Sequence, residues 1–208
     1  MSGHANTQGG CTAMTAAEPP SAILLIRHGE KPEDDGRGER GVESSGRPNK
    51  HSLTPRGWQR SGALAVLFGD PALMAERGVS KPTRLFSPNY GHHTPHHRAT
   101  QTLDGVAHRL EISQEYPATV DEGADLSAAV LDGGPGPVLV CWEHHRIPHI
   151  AARILTGTGQ SVPRTWPDNR FDVIWVFRRD SVGPRPAYVF SQVPQRLLAG
   201  DRRDTISC

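Results

Sequence analysis

The sequence predicts an α/β fold: a three-layer α/β/α sandwich around a mostly parallel sheet, with an antiparallel strand at one edge. Three observations carry this. Short continuous apolar runs, 22–26 and 138–142, read as strands buried on both faces. Between such runs lie segments with apolar residues at helical spacing, and strands alternating with helices build parallel βα units. Late in the chain, two β-rich runs flank the turn-like Ser181-Val182-Gly183-Pro184 and read as a hairpin, which supplies the antiparallel strand.

The elements follow in order. Residues 1–20 are small and polar, contain Gly and Pro and show no period, so a disordered tail is expected before a single domain over 21–200. The first strand runs to Ile26. Residues 30–50 are charged, Gly-rich and aperiodic, a long surface loop. Thr54-Pro55 opens a helix, with Thr as N-cap and Pro at the first helical position. Leu64, Leu67 and Phe68 give that helix one apolar face, and Gly69 is its expected stop. A short strand is expected over 83–87, then a His-crowded loop, then a helix over 100–110. Another helix is expected over 121–131, ended by Gly133-Gly134. After the strand at 138–142, Ile147, Ile150, Ala151, Ile154 and Leu155 mark a helix that stops at Gly157. The β-rich runs of the hairpin cover 171–177 and 187–190. Residues 201–208 read as a flexible C-terminal tail.

Composition narrows the functional class. The 208-residue chain is long enough for one sizeable core. It carries 23 basic and 22 acidic residues, a formal net charge of +1, which argues against a nucleic-acid partner. No apolar run approaches the length needed to span a bilayer, and no apolar stretch follows a basic start, so neither membrane association nor a secretory leader is expected. The three cysteines, Cys11, Cys141 and Cys208, have no CxxC spacing. They suggest neither a disulfide framework nor a zinc site, and a reducing cytoplasm is the simplest compartment.

The chemistry concentrates where the first strand ends, at Arg27-His28-Gly29-Glu30. Ligands of open α/β sheets bind outside the carboxyl ends of the strands. A neutral imidazole there is a good nucleophile toward phosphorus if the attacking nitrogen keeps its lone pair. A neighbouring guanidinium grips phosphate oxygens as a fixed fork, and Gly29 lets the backbone approach a bound anion. Read alone, the tripeptide is equally a plain strand end. His144, after the strand at 138–142, falls at a second carboxyl end.

Four pieces in order resemble the histidine phosphatase superfamily, the phosphoglycerate mutase-like fold. Leu24-Leu-Ile-Arg-His-Gly-Glu-Lys-Pro32 is similar to its nucleophile motif. Leu53-Thr-Pro-Arg-Gly57 with Gln59-Arg60 is similar to its next segment. Phe86-Ser-Pro88 and Arg98-Ala-Thr-Gln-Thr102 are similar to the segment with a second phosphate-gripping arginine. Val138-Leu-Val-Cys-Trp-Glu-His144 is similar to the strand that delivers a second histidine. The resemblance implies that His28 attacks and is transiently phosphorylated. It implies that Arg27 and Arg98 neutralise the phosphoryl oxygens, that His144 donates a hydrogen bond to them, and that water then hydrolyses the phosphohistidine. His145 is the alternative to His144, which lies nearer the strand end. No metal and no cofactor are implied.

In this family a carboxyl group often protonates the leaving oxygen. Asp121 and Glu122 sit at a plausible place in the chain, and Glu143 is next to His144; for each, a surface carboxylate is the simpler reading. Glu30 belongs to the motif but is not assigned that role. The insertion between Pro88 and Arg98 holds His92, His93, His96 and His97 at spacings compatible with metal binding, although a solvated loop is the simpler reading. Lys31, Arg37, Arg40, Arg47 and Lys50 in the long loop are candidate contacts for a second anionic group. The sequence lacks the Glu-Arg-x-Tyr-Gly run of phosphoglycerate mutases, which favours a phosphatase. The expected function is a phosphatase, independent of metals, acting on a small phosphorylated metabolite. The alternatives are a non-catalytic phospho-ligand binder and a phosphoprotein or phosphohistidine phosphatase. Oligomeric state is not legible.

Overall fold

A computed structural model of the chain describes residues 18–33, 36–90, 97–132, 134–180 and 187–207. Eleven elements follow in order: β1 (Ala22–Arg27), α1 (Pro55–Gly69), α2 (Pro71–Arg77), β2 (Arg84–Phe86), α3 (Arg98–Leu110), β3 (Gln114–Glu115), α4 (Gly123–Leu131), β4 (Val138–Trp142), α5 (Ile147–Ile154), β5 (Val173–Arg179) and β6 (Tyr188–Pro194). They form one six-stranded sheet in the order β3-β2-β4-β1-β5-β6. β3, β2, β4 and β1 are parallel; β5 runs antiparallel to β1 and pairs with β6 as the expected hairpin. The hairpin's turn, 181–186, lies outside the described residues.

The continuous apolar runs are explained by helices on both faces. Alternate residues of a strand point to opposite sides. Ile23 and Leu25 of β1 join Val138, Val140 and Trp142 of β4 in a core with α4 and α5. Leu24 and Ile26 join Leu139 and Cys141 in a second core with α1, α2 and α3. Both strands are fully buried. Cys141 is a buried free thiol, as its place in the run suggested. No helix among the described residues is long and apolar enough to cross a membrane.

Three expectations change. Gly69 does not stop α1; it is the helix's last residue, and a Cβ there would lie 2.5 Å from Arg109 Nε, so glycine permits the close approach of α3. Asp70 makes the break instead. Its backbone N–H reaches back to the Leu67 carbonyl, and its carboxylate accepts from the N–H groups of Ala72 and Leu73 at 2.8 and 3.3 Å, capping α2. The helix expected over 121–131 begins at Gly123.

The third change is the C-terminal segment, which packs on the domain rather than trailing from it. Asp201 pairs with Arg60 at 2.7 Å, with both side chains 2% exposed. The Arg202 N–H donates to Asp172 Oδ2 at 2.6 Å, and Ile206 is buried in the first core. The segment supplies a second carboxylate to the buried Arg60 guanidinium of α1, which also pairs with Glu30.

Candidate functional site

Register places the chemistry. Arg27, the last residue of β1, is level with Trp142, the last of β4. The chain therefore releases His28 beside Glu143-His144 at the carboxyl ends of the two central strands. The N-terminus of α3 brings Arg98 to the same place. His28, Lys31, Asn89, Tyr90, Arg98, Thr119–Asp121, Glu143, His144 and His145 line a cavity of about 400 Å³ there. A wider outer lobe continues past His144 to Asp168, Asn169 and Phe171.

His28 is 7% exposed. Its Nδ1 lies 2.7 Å from the carbonyl oxygen of Gly29. A carbonyl only accepts, so Nδ1 carries the proton and Nε2 keeps its lone pair. Burial, then the charge of Arg27, lowers the imidazole's pKa well below its ordinary value; the Gly29 bond opposes this, and Arg98 and His144 add to the lowering. The ring is thus neutral at physiological pH, as a nucleophile must be.

The loop after His28 is held from three sides. The Gly29 N–H donates to Thr102 Oγ1 at 2.7 Å, and Thr102 donates to the Arg98 carbonyl at 2.7 Å. Gly29 packs on the start of α1, where a Cβ would lie 3.0 Å from the Gly57 carbonyl oxygen. Its small size therefore serves this backbone contact. Glu30 is a clamp: its carboxylate pairs with Arg60 at 2.7 Å and Arg56 at 3.2 Å, and its carbonyl accepts from the Thr54 N–H.

Arg27 is 1% exposed. Its Nη1 donates to the carbonyls of Pro167, Asp168 and Arg170 at 3.3, 2.5 and 3.4 Å, and its guanidinium lies 3.9 Å over the Phe171 ring. Nε and Nη2 are buried without a hydrogen-bond partner among the described residues. Buried orphan donors are costly unless a ligand satisfies them. Burial lowers the Arg27 pKa to about 10, opposed chiefly by the charge of Asp168, so the group stays cationic. Arg98, half-buried, donates from Nη2 to the Lys50 carbonyl at 2.8 Å.

His144 is 5% exposed. Its Nε2 lies 2.6 Å from Asp168 Oδ1. Its Nδ1 is closed off from solvent, 2.6 Å from Glu143 Oε1. His145 is exposed, its ring centroid 3.8 Å from that of His144, and it faces both lobes.

None of the candidate acids is set up as a proton donor. Glu122 is exposed, does not line the cavity and accepts from the Thr119 N–H at 2.8 Å, which holds its carboxyl low. Asp121 reaches the rim but is 77% exposed and pairs with Arg146. Glu143 is raised by burial, yet its contacts with His144 and His145 bring the net shift below the usual range.

The remaining expectations fall as follows. His92, His93 and His96 lie outside the described residues; His97 is exposed, edge-on to Tyr90 at 5.2 Å. Lys31 lines the cavity. Arg37, Arg40 and Lys50 line a separate surface pocket, and Arg47 pairs with Glu43. Among the described residues, Glu143, His144 and His145 have donor atoms within 4.8 Å of one another, a spacing that could hold a metal. The neighbouring Arg98 and Lys31 make the cavity better suited to an anion.

Sequence reasoning missed Asp168, Thr102, Tyr90 and Asn89. Thr102 lies inside a quoted motif, which was the available signal. Asp168 lies in a Trp-Pro-Asp-Asn turn that carries none.

No family model and no curated protein matches the sequence. Solved structures match the fold. A protein histidine phosphatase SixA complexed with tungstate is 20% identical at a TM-score of 0.51, covering 84% of this chain and 97% of that one. A mycobacterial glucosyl-3-phosphoglycerate phosphatase complexed with VO3 is 12% identical at a TM-score of 0.50, covering 82% and 97%.

Proposed function

On the histidine phosphatase (phosphoglycerate mutase-like) fold that this chain adopts, we propose a phosphatase that passes the phosphoryl group of a small phosphorylated metabolite to His28 and then to water. The observation that carries this is the state of His28. It is buried, neutral and tautomerically fixed by Gly29, with Nε2 bearing the lone pair. Arg27 stands beside it with two buried donors that have no hydrogen-bond partner among the described residues.

The steps follow from those groups. Nε2 of His28 attacks phosphorus, the phosphorus–oxygen bond to the metabolite breaks, and the departing alkoxide takes a proton from water. Arg27, Arg98 and His144 face the oxygens on which charge spreads, where preorganised donors contribute most. A water molecule then attacks the phosphohistidine, releasing phosphate and restoring neutral His28. A cavity of about 400 Å³ suits a small ligand.

Brief exposure of the protein to a radiolabelled phosphate ester, followed by an alkaline quench, should leave acid-labile label on the wild type and none on His28→Ala. Equal labelling of the two would sink the proposal.

One observation favours a second reading within this chemistry. Glu122 does not line the cavity, Asp121 pairs with Arg146 at its rim, and Glu143 is held below the usual carboxyl range, so a substrate whose leaving group needs little protonation also fits. Phosphohistidine in a protein is such a substrate, and the outer lobe opens the site toward the surface. Relative rates on phosphohistidine, phosphoserine and sugar phosphates separate the two readings.

A further inference from the structure

His144 Nε2 is already engaged. The ring is 5% exposed, and of its two nitrogens Nδ1 is closed off from solvent against Glu143. Nε2 is therefore the nitrogen left to meet a phosphoryl oxygen, and Asp168 Oδ1 sits 2.6 Å from it. The Asp168 side chain is 83% exposed, so swinging it into water costs little desolvation. Its backbone is anchored, because the Asp168 carbonyl accepts from Arg27 Nη1 at 2.5 Å. One turn thus fixes the buried arginine and delivers an anion to the histidine beside it.

A carboxylate at that point resembles part of a phosphate: two oxygens sharing a negative charge, one of them on the donor that a phosphoryl group would use. We infer that Asp168 is an internal competitor for the phosphoryl site: its carboxylate holds the His144 hydrogen bond in the free protein, and a phosphoanion binds by displacing it. This rests on the phosphatase reading above and adds a residue that sets affinity for the phosphoryl group. The hydrogen bond from His144 lowers the Asp168 pKa, so the competitor is anionic whenever the enzyme is at neutral pH. Displacement needs no backbone rearrangement, since the carbonyls on Arg27 are independent of the side chain.

Calorimetric binding of inorganic phosphate to the full chain tests this. Asp168→Ala removes charge and acceptor; Asp168→Asn removes charge but keeps an acceptor. Asp121→Asn removes a rim carboxylate that does not touch His144, and so measures the general effect of charge. Phosphate should bind Asp168→Ala about three- to fivefold tighter than wild type, the scale of an exposed charged pair, and Asp121→Asn less than about twofold tighter. The gain should vanish in a His144→Ala background, because the competition runs through that ring. Weaker binding by Asp168→Ala would make Asp168 an orienting group for His144 and overturn the inference. So would a gain equal to that of Asp121→Asn, or one that survives His144→Ala. Phosphate binding that Arg27→Ala leaves unchanged, or no binding to any variant, would overturn the phosphatase reading itself. Binding that depends on Arg27 without an Asp168 effect removes the inference alone.

Discussion

The Gly29 N–H donates to Thr102 Oγ1 across 2.7 Å, and the same hydroxyl donates to the Arg98 carbonyl. Thr102 is fully buried and joins the His28 loop to the helix that carries Arg98. Thr102→Val keeps the shape and removes both bonds, leaving a buried N–H unsatisfied at a cost of about 1–3 kcal/mol. Chemical denaturation should show that loss. Turnover should fall at least about tenfold, because Gly29 also fixes the tautomer of His28. Thr102→Ser should restore turnover. A Val variant that loses stability yet retains full turnover would show that the bond supports folding only.

The depressed pKa of His28 fixes a pH dependence. The folded-state value lies below the unfolded one, so the unfolded chain binds the extra proton first. Stability from this group is fully present above about pH 6.5 and is lost as pH falls from there toward the folded pKa. His28→Asn should flatten the acid side of the stability curve. By the same sign, His28 stays unprotonated below pH 6.5, so kcat/KM should show no His28 titration near that value. An acid limb centred at pH 6.5 in the wild type and assigned to His28 by NMR would contradict the buried, neutral ring.

What was legible in the sequence was local. Ala22–Arg27 passes from continuous apolar residues to Arg-His in one step, so both the strand and its functional end could be read together. Arg98 was reachable because Ala-Thr-Gln-Thr follows it. The residues that tune the site were not, because their partners are distant in sequence. Asp168 meets a histidine 24 residues away, and the Arg27 guanidinium meets carbonyls 140–143 residues away. Helix α2 was missed although Asp70-Pro71 repeats the Thr54-Pro55 start signal, because seven residues are too few to show a period. β3, with two residues, has no period at all.

The C-terminal segment shows the same limit and yields a stability prediction. Asp201-Arg202-Arg203-Asp204 reads as a charged tail, yet Asp201 accepts from both Nη atoms of Arg60 at 2.7 and 3.1 Å. Arg60 also holds Glu30, two residues after His28. Asp201→Ala strips one partner from a buried guanidinium and should cost about 2–4 kcal/mol in denaturant unfolding, the range below full loss because Glu30 remains. Truncation after Ala199 should cost at least as much. Unchanged unfolding midpoints in both variants would mean the segment contributes no stability.

The leaving group is where the three candidate acids are put to the test. A positioned general acid contributes about 10²–10⁴-fold, and it does so most for poor leaving groups. Glu122 accepts from the Thr119 N–H and does not line the cavity, Asp121 is bound to Arg146 at the rim, and Glu143 is held below its usual range. The rate should therefore depend steeply on the leaving group: aryl phosphates should exceed alkyl phosphates by about 100-fold or more in kcat/KM. Asp121→Asn, Glu122→Gln and Glu143→Gln should each change turnover of an alkyl phosphate by less than about tenfold. If one of them loses 100-fold on the alkyl ester while keeping its aryl rate, that carboxyl is the proton donor. Substrate binding would then have to free it from the partner it holds here.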